Sequence, residues 1–487
     1  MIEIVRNYVN CQINGTLPAK VYEEFRNRMR YKKPGMVFSY VFKKGWSDGY
    51  VYLFTKKMQR FPAGLLFLAK RILEESNIEY KVTDLRVRPT TTGQPVSLSK
   101  VVLRDYQQDT LDKCLKHGSG IIKLPTGSGK TMIFTALLGQ YVGLKRAVFV
   151  RKLDLMAQTI KCLKRDLGIE VGMIGGGVAD IKELSVIMIP TAANVIGEKF
   201  VKYLGHFNDD EDDAIELSAQ QKMLVKEYIE NLDCFVIDEC HCASCETMQM
   251  INKHCKKAFY RIGCSATPYR EDKTDILIHA ATGPRIIDIT ASEMIKRGFL
   301  VPPRVHFYKV PPVFHKKAPN DYQKVYTEYV VNNVWRNEKI VEVTQKLINN
   351  KERPIILVQR QEHGEILEKM LQKTGLIVRF IFGKTCLEER KYVLDQFEAG
   401  NIDVVIGSVI LQEGIDIPCI TAMVNASAGK SAGAYYQKIG RAIRPFESKT
   451  RAIVIDFIDD VKWLKQHSLK RIKVLKTEPL YELRIQE

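Results

Sequence analysis

Between about Ser97 and Pro302, short apolar runs alternate with longer stretches of helical periodicity, and the same alternation restarts near Pro303 and continues to about Asp460. Runs such as Gly120 to Leu124, Ala147 to Val150, Val186 to Ile189 and Cys234 to Ile237 read as strands of a parallel sheet with helices on both faces. Ile355 to Val358, Val378 to Ile381, Val404 to Ile406 and Ala452 to Asp456 repeat the pattern. The expected class is therefore α/β. It comprises two parallel-sheet lobes at 97–302 and 303–466, a small basic α+β domain over 1–90 ahead of them, and a basic tail over 467–487. A chain of 487 residues has room for about three domains.

Charge separates the first segment from the rest. Residues 1–90 hold 17 Lys and Arg against 8 Asp and Glu, half of the net charge of +18. Such an excess of cations points to a polyanionic partner, nucleic acid ahead of a membrane surface. In this segment Val37 to Phe42 and Tyr50 to Phe54 read as two strands joined through Gly45 to Gly49, with a helix following from about Ala63 to Glu75. Pro89 to Pro95 reads as a linker. Arg26, Arg28, Arg30, Lys32, Lys33, Lys43 and Lys44 are candidate phosphate contacts. Trp46 is expected in the core of the small domain, the alternative being that it or Tyr31 stacks on an exposed base. The acidic run Asp209 to Asp213 reads as a solvated loop, and Lys462, Lys465, Lys470, Arg471, Lys473 and Lys476 as a solvated helix face or further phosphate contacts.

No apolar run is long enough for a membrane span and the first residues lack the pattern of a signal peptide, so a cytoplasmic protein is expected. The 11 scattered cysteines suit reduced thiols. Cys240, Cys242, Cys245 and Cys255 contain one C-x2-C spacing beside His241 and His254, but no second pair completes a usual zinc set.

Pro125-Thr126-Gly127-Ser128-Gly129-Lys130-Thr131 follows a strand and opens a helix, where backbone N–H groups gather around an anion. Lys130 would reach the β- and γ-phosphates of ATP, and the Thr131 hydroxyl would bind Mg²⁺. Leu124 stands where the strict phosphate-loop pattern has Gly. Asp238-Glu239-Cys240-His241 ends an apolar strand, which brings two carboxylates to the same sheet edge. Asp238 would hold Mg²⁺ and Glu239 would act as general base on the attacking water. Arg441 and Arg444, three residues apart with Gln437 one turn earlier, would stabilise charge developing on the γ-phosphate from the second lobe.

From about Arg104 to Asp456 these motifs, in this order, resemble those of superfamily 2 helicases of the DExH class. The resemblance implies two tandem RecA-like lobes. Arg104 and Gln107 are then expected at the nucleotide base, with Gly414 and Asp416 near the ribose. Arg151, Gln158, Thr191, Arg360 and Ser408 are expected on a nucleic-acid backbone, and Ser265 and Thr267 are expected to couple hydrolysis to strand movement. Gly263 to Arg270, followed by Asp272, is closer to repair and recombination translocases than to DEAD-box enzymes. Trp46 to Gly49 and Arg60 to Leu66 are similar to the small domain of phage recombination and branch-migration helicases. The resemblance thereby implies an ATP-dependent DNA helicase, 3′ to 5′, working as a monomer or weak oligomer on branched DNA. Its tasks would be Holliday-junction migration, fork regression, and unwinding of D-loops or RNA–DNA hybrids. An RNA helicase, or a strand-annealing protein with an accessory ATPase, remains the alternative.

Overall fold

Four strands open the chain, in the spatial order Arg60–Pro62, Asn10–Asn14, Ile2–Arg6 and Tyr80–Asp84. The first two pairings are antiparallel and the last is parallel. In this computed structural model residues 1–487 are described except 34, 100, 198–216, 269–273, 312–318, 384, 409–418, 447, 448 and 487, and the side chains of Val37 and Leu387. Alternation along the strands sends Ile2, Ile4, Cys11 and Ile13 to one face. The helix Leu66–Glu75 buries Leu66, Ala69, Ile72 and Leu73 against them, the i, i+3, i+7 stripe of an amphipathic helix. Phe25, Phe54 and Phe61 fill the remaining space, with ring centroids 5.0 to 6.4 Å apart. Each such buried ring contributes about 2–3 kcal/mol.

The expected helix after Ala63 is present, preceded by the tight turn Ala63–Leu65. The expected hairpin is not. Only Tyr50–Tyr52 is extended, paired with Arg30–Lys32, while Val37 to Phe42 is taken up by the tight turn Met36–Phe38 and the short helix Tyr40–Lys43. The Ser39 hydroxyl accepts the Phe42 N–H at 3.3 Å and starts that helix, outweighing the β propensity of its neighbours.

Eight strands form the next sheet, ordered Val178–Asp180, Gly172–Gly175, Leu184–Met188, Arg146–Val150, Cys234–Asp238, Tyr260–Ser265, Ser119–Lys123 and Arg285–Asp288. All pairings are parallel except the first. Every residue of Arg146–Val150, Cys234–Asp238 and Tyr260–Ser265 is buried, because helices cover both faces. A second, all-parallel sheet of seven strands is ordered Val378–Ile381, Val404–Gly407, Pro354–Leu357, Ala422–Asn425, Ala452–Ile458, Pro303–Lys309 and Glu482–Gln486. The molecule is thus α/β, with a small sheet followed by two tandem RecA-like lobes.

Two compact units result, Met1–Leu124 with Gly129–Asp288, and Pro125–Ser128 with Ile289–Glu487. The division at Asp288/Ile289 falls ahead of the expected Pro302/Pro303. Glu478 explains the difference, since its carboxylate accepts the Ala291 and Ser292 N–H groups at 3.3 and 2.9 Å and so caps the helix Ala291–Lys296 from within the second unit. The expected tail is also built in. Lys462–Leu475 is a helix, Glu482–Gln486 adds an edge strand, and Arg471 turns inward, 1% exposed, onto Asp456 at 2.8 Å. The small domain is inseparable from the first sheet in the same sense, because Ala280 belongs to its apolar core.

Candidate active site

Parallel strands end at one edge, and the functional side chains of the first unit follow the strand order there. Ser119–Lys123 leads into Leu124, whose N–H donates to Ser265 O at 3.3 Å and pins the phosphate-loop segment beside the neighbouring strand. Gly127 and Gly129 hold φ of +86° and +76°, left-handed conformations that glycine adopts without strain. Gly129 is the N-cap of the helix Lys130–Gly139, and its carbonyl accepts the Met132 and Ile133 N–H groups at 3.0 and 3.3 Å, so the helix opens directly from the glycine turn. Ser128 Oγ donates to Pro125 O at 2.8 Å, while Thr126 lies between these loop residues. Gln107 reaches the same place. Its Oε1 accepts the Arg104 N–H at 2.9 Å, and its Nε2 would stand 2.5 Å from a Cβ on Gly129.

Asp238 closes the neighbouring strand but one and is buried, its Oδ1 accepting the Glu239 N–H at 2.9 Å. Burial, together with the charge of Glu239, pushes the Asp238 carboxyl above its ordinary range. Glu239 occupies the left-handed region at φ +49°. Burial opposes its charge, but His241 beside it and the Lys130 ammonium prevail and hold it below the ordinary range. Ser265 Oγ donates to Glu239 Oε2 at 3.0 Å and accepts the Thr267 N–H at 3.2 Å, linking carboxylate to backbone through one hydroxyl. Lys130 Nζ donates to Leu124 O at 3.3 Å. A buried carboxyl pushed upward beside an ionised one is short of positive charge, and a divalent cation held by Asp238 and the Thr131 hydroxyl fits that demand. The N–H groups of the glycine turn and Lys130 fit a triphosphate.

Arg151 follows the strand next to the Asp238 strand and is exposed, with Gln158 half-buried on the helix Leu153–Leu167. Thr191 lies one strand further, inside the helix Ile189–Ile196. Three of the remaining candidates of this unit meet protein partners. Arg28 pairs with Glu75, Arg30 lies 4.2 Å over the Tyr50 ring, and Lys33 is 3.1 Å from Glu246, whereas Lys32 is exposed. Trp46 is not in the core. It is 72% exposed, because Phe42 rather than Trp46 packs against Gly49. Cys240, Cys242 and Cys255 lie in the apolar core of the sheet, and burial pushes their thiols up, which keeps them protonated.

In the second unit the helix Ala432–Ala442 starts at Ser431, whose hydroxyl accepts the Ala434 N–H at 3.2 Å. Tyr435, Lys438, Ile439 and Ala442 face inward, leaving Gln437 and Arg441 half-buried on the other side. Arg444 follows the helix, and burial lowers its pKa from the usual guanidinium value. Two lysines missed by motif reasoning fix this element. Lys449 Nζ donates to Arg444 O at 2.9 Å and to Ile420 O at 2.6 Å, and also meets Ala442 O, gathering carbonyls at the helix end. Lys438 Nζ donates to Ser427 Oγ at 2.9 Å, from which Asn425, Asp456 and Arg471 continue the buried chain. The signal was an Asp closing the apolar run Ala452 to Asp456, the same signature that marked Asp238. Ser408 follows the strand Val404–Gly407, its N–H donating to Ile381 O at 3.1 Å. Arg360 is turned onto Thr327 and Gln323 and lies 5.0 Å over the Tyr326 ring. Gly414, Asp416, Arg270, Asp272 and the run Asp209 to Asp213 lie outside the described residues.

Comparison with known proteins identifies the family and the fold. The family described as "Type III restriction enzyme, res subunit" matches residues 100–270, and "Helicase conserved C-terminal domain" matches 336–445, together more than half of the chain. Among curated relatives, the DNA 3′-5′ translocase XPB2 of Sulfurisphaera tokodaii is 24% identical over 472 residues, 88% of this chain and 96% of the relative. The ATP-dependent DNA helicase uvsW of Enterobacteria phage T4 is 23% identical over 363 residues, 73% of this chain and 68% of the relative. Among solved structures, the ATP-dependent Type ISP restriction-modification enzyme LlaBIII bound to DNA shares the fold, with a TM-score of 0.53 and 15% identity over 79% of this chain and 31% of that one.

Proposed function

We propose that this chain, which belongs to the superfamily 2 helicases and is an ATP-dependent helicase or translocase through their paired domains, drives strand movement on DNA. We extend the proposal to branched DNA, such as forks, four-way junctions and displacement loops, tracked 3′ to 5′. The observation that carries it is the link from Glu239 through Ser265 to Thr267, which ties the hydrolytic carboxylate to a backbone segment beyond it at 3.0 and 3.2 Å. ATP bound with Mg²⁺ supplies the phosphoryl bond whose cleavage powers the cycle. Lys130 and the glycine turn bind phosphate oxygens, Thr131 and Asp238 hold the cation, and Gln107 with Arg104 borders the loop where the base is read. Glu239 stays ionised and takes the proton of the attacking water. In this reading Arg441 and Arg444 stabilise charge developing on the γ-phosphate, and Lys449 fixes the turn that carries Arg444.

DNA is favoured by the charge of +18, by its concentration in residues 1–90, and by the activities named for the relatives. Arg151 and Thr191, just past neighbouring strands of the first sheet, Gln158 on the helix Leu153–Leu167, and Ser408 after the strand Val404–Gly407 of the second sheet are proposed backbone contacts. None of the eleven cysteines is in a disulfide, which suits a reducing cytoplasm, and among the described residues no helix is long and apolar enough to cross a membrane. The test is steady-state ATPase activity with single-stranded DNA, duplex, fork, four-way junction and RNA duplex over a salt series. Fork or junction DNA is expected to stimulate most. Equal stimulation by RNA duplex would transfer the reading to RNA, and unwinding of a junction by Lys130→Ala would remove the assigned mechanism.

A further inference from the structure

The strands Arg30–Lys32 and Tyr50–Tyr52 form an antiparallel ribbon, with Arg30 opposite Tyr52 and Lys32 opposite Tyr50. The connection between them has a small core of its own. A Cβ on Gly49 would lie 3.1 Å from the Phe42 ring and 4.0 Å from Met36, so these two side chains close the turn. Phe38, Tyr40 and Trp46 take no part in that core, being 78%, 63% and 72% exposed. Tyr40 and Trp46 meet edge to face with centroids 5.9 Å apart, an arrangement that orients both rings and leaves faces open. Three large aromatics turned to water within nine residues form an exposed patch outside that core.

The charge around them is of one sign. From Lys32 to Ser47 the chain carries four lysines and no carboxylate, and Lys32, Lys43 and Lys44 are exposed. Lys44 Nζ is 5.7 Å from the centre of the Tyr40 ring. Open ring faces interleaved with ammonium groups match a ligand that alternates flat apolar surfaces with phosphates. Paired bases keep their faces inside the stack, so the match is to unpaired ones. The root of the arm touches the motor lobe as well. Lys33 Nζ is 3.1 Å from Glu246, the first residue of the helix Glu246–His254 that follows the Asp238-Glu239 segment.

We propose that this arm is a base-stacking platform for single-stranded DNA, with unpaired bases on Phe38, Tyr40 and Trp46 and the adjoining phosphates on Lys32, Lys43 and Lys44. It rests on the DNA reading above and adds where an unpaired strand is gripped. The test uses the full chain carrying Trp335→Phe and Trp463→Phe, which leaves Trp46 as the one tryptophan of the three. Oligothymidine is expected to quench its fluorescence saturably. The variant Phe38→Ala/Tyr40→Ala/Trp46→Ala, with its melting curve checked by circular dichroism, is expected to bind the oligonucleotide about tenfold or more weakly by anisotropy.

Quenching by anionic phosphatidylserine vesicles in place of oligothymidine, or by oligouridine more strongly, would overturn the assignment. So would unchanged affinity in the triple variant. If the unaltered chain neither binds DNA nor hydrolyses ATP faster with it, the DNA reading falls and the arm with it. If the unaltered chain responds to DNA and the triple variant binds equally well, the arm alone is wrong.

Discussion

Glu239 and its neighbour Ser265 have separable roles in the proposed cycle. The Glu239 carboxylate is proposed to accept a proton, whereas the Ser265 hydroxyl links it to the Thr267 N–H at 3.0 and 3.2 Å. Glu239→Gln is therefore expected to lower ATP turnover by about a hundredfold or more while nucleotide still binds. Ser265→Ala is expected to keep turnover within about threefold and to lose unwinding, because the motor's communication is cut and its chemistry is not. Equal losses of both activities in Ser265→Ala would count against the coupling role. His363 provides a pH signature of the second lobe. Burial, with Arg336 nearby, lowers its pKa to about 3, and its Nε2 lies 2.9 Å from Asn337 Oδ1. The unfolded chain binds this proton near the ordinary histidine pKa of about 6.5, so the stabilisation is complete above that pH and is lost as pH falls toward 3. Between about pH 6.5 and 5 the loss is about 2 kcal/mol. Urea unfolding of the parent and of His363→Gln at both pH values measures it, and a slope unchanged in the variant would assign the acid limb to other groups.

At the scale of elements, the tight turn Ala63–Leu65 seats the small domain against the end of the helix Ile276–Thr282. Gly64 permits the approach, for a Cβ there would collide with the backbone oxygen of His279 and lie 2.6 Å from that of Ala280. Gly64→Ala is expected to cost about 1–3 kcal/mol and to make the small domain melt apart from the lobe, because carbonyls cannot move aside as side chains do. A single unshifted melting transition would contradict this. The same domain shows where sequence patterning misleads. Residues 37–42 alternate and are rich in β-formers, yet Ser39 caps a helix there, and glycines at φ +73° and +72°, Gly35 and Gly45, turn the chain on either side. Six residues are too few for periodicity to outvote three turn-forming residues. Trp46, in the turn Gly45 to Gly49, was misplaced because a tryptophan reads as core by residue type alone, whereas Phe42 fills the place against Gly49.

For the whole molecule, the two lobes were legible because their strands are buried on both faces, as in Arg146–Val150 and Val404–Gly407. The position of the glycine turn between a strand and a helix, and of the Asp238-Glu239 pair at a strand end, was legible because both follow from local apolar runs and glycines. Lys438 and Lys449 were not, for a buried lysine is defined by its partners, and Ser427, Ile420 and Arg444 lie at sequence separations of 11, 29 and 5 residues that no local pattern records. The edge strand Glu482–Gln486 was hidden similarly, its pairing with Pro303–Lys309 resting on a partner far back in the chain. The Lys449 contacts join the Ala442 and Arg444 carbonyls to that of Ile420 at the end of the helix that carries Arg441. The proposed motor stands or falls on hydrolysis at Glu239 being coupled to DNA. The decisive measurement is steady-state ATP turnover of the unaltered chain and of Glu239→Gln, each with and without fork DNA. Fork DNA is expected to raise turnover of the unaltered chain about tenfold or more, with the variant staying near background in both conditions. Turnover indifferent to DNA, or activity persisting in Glu239→Gln, would contradict the coupling.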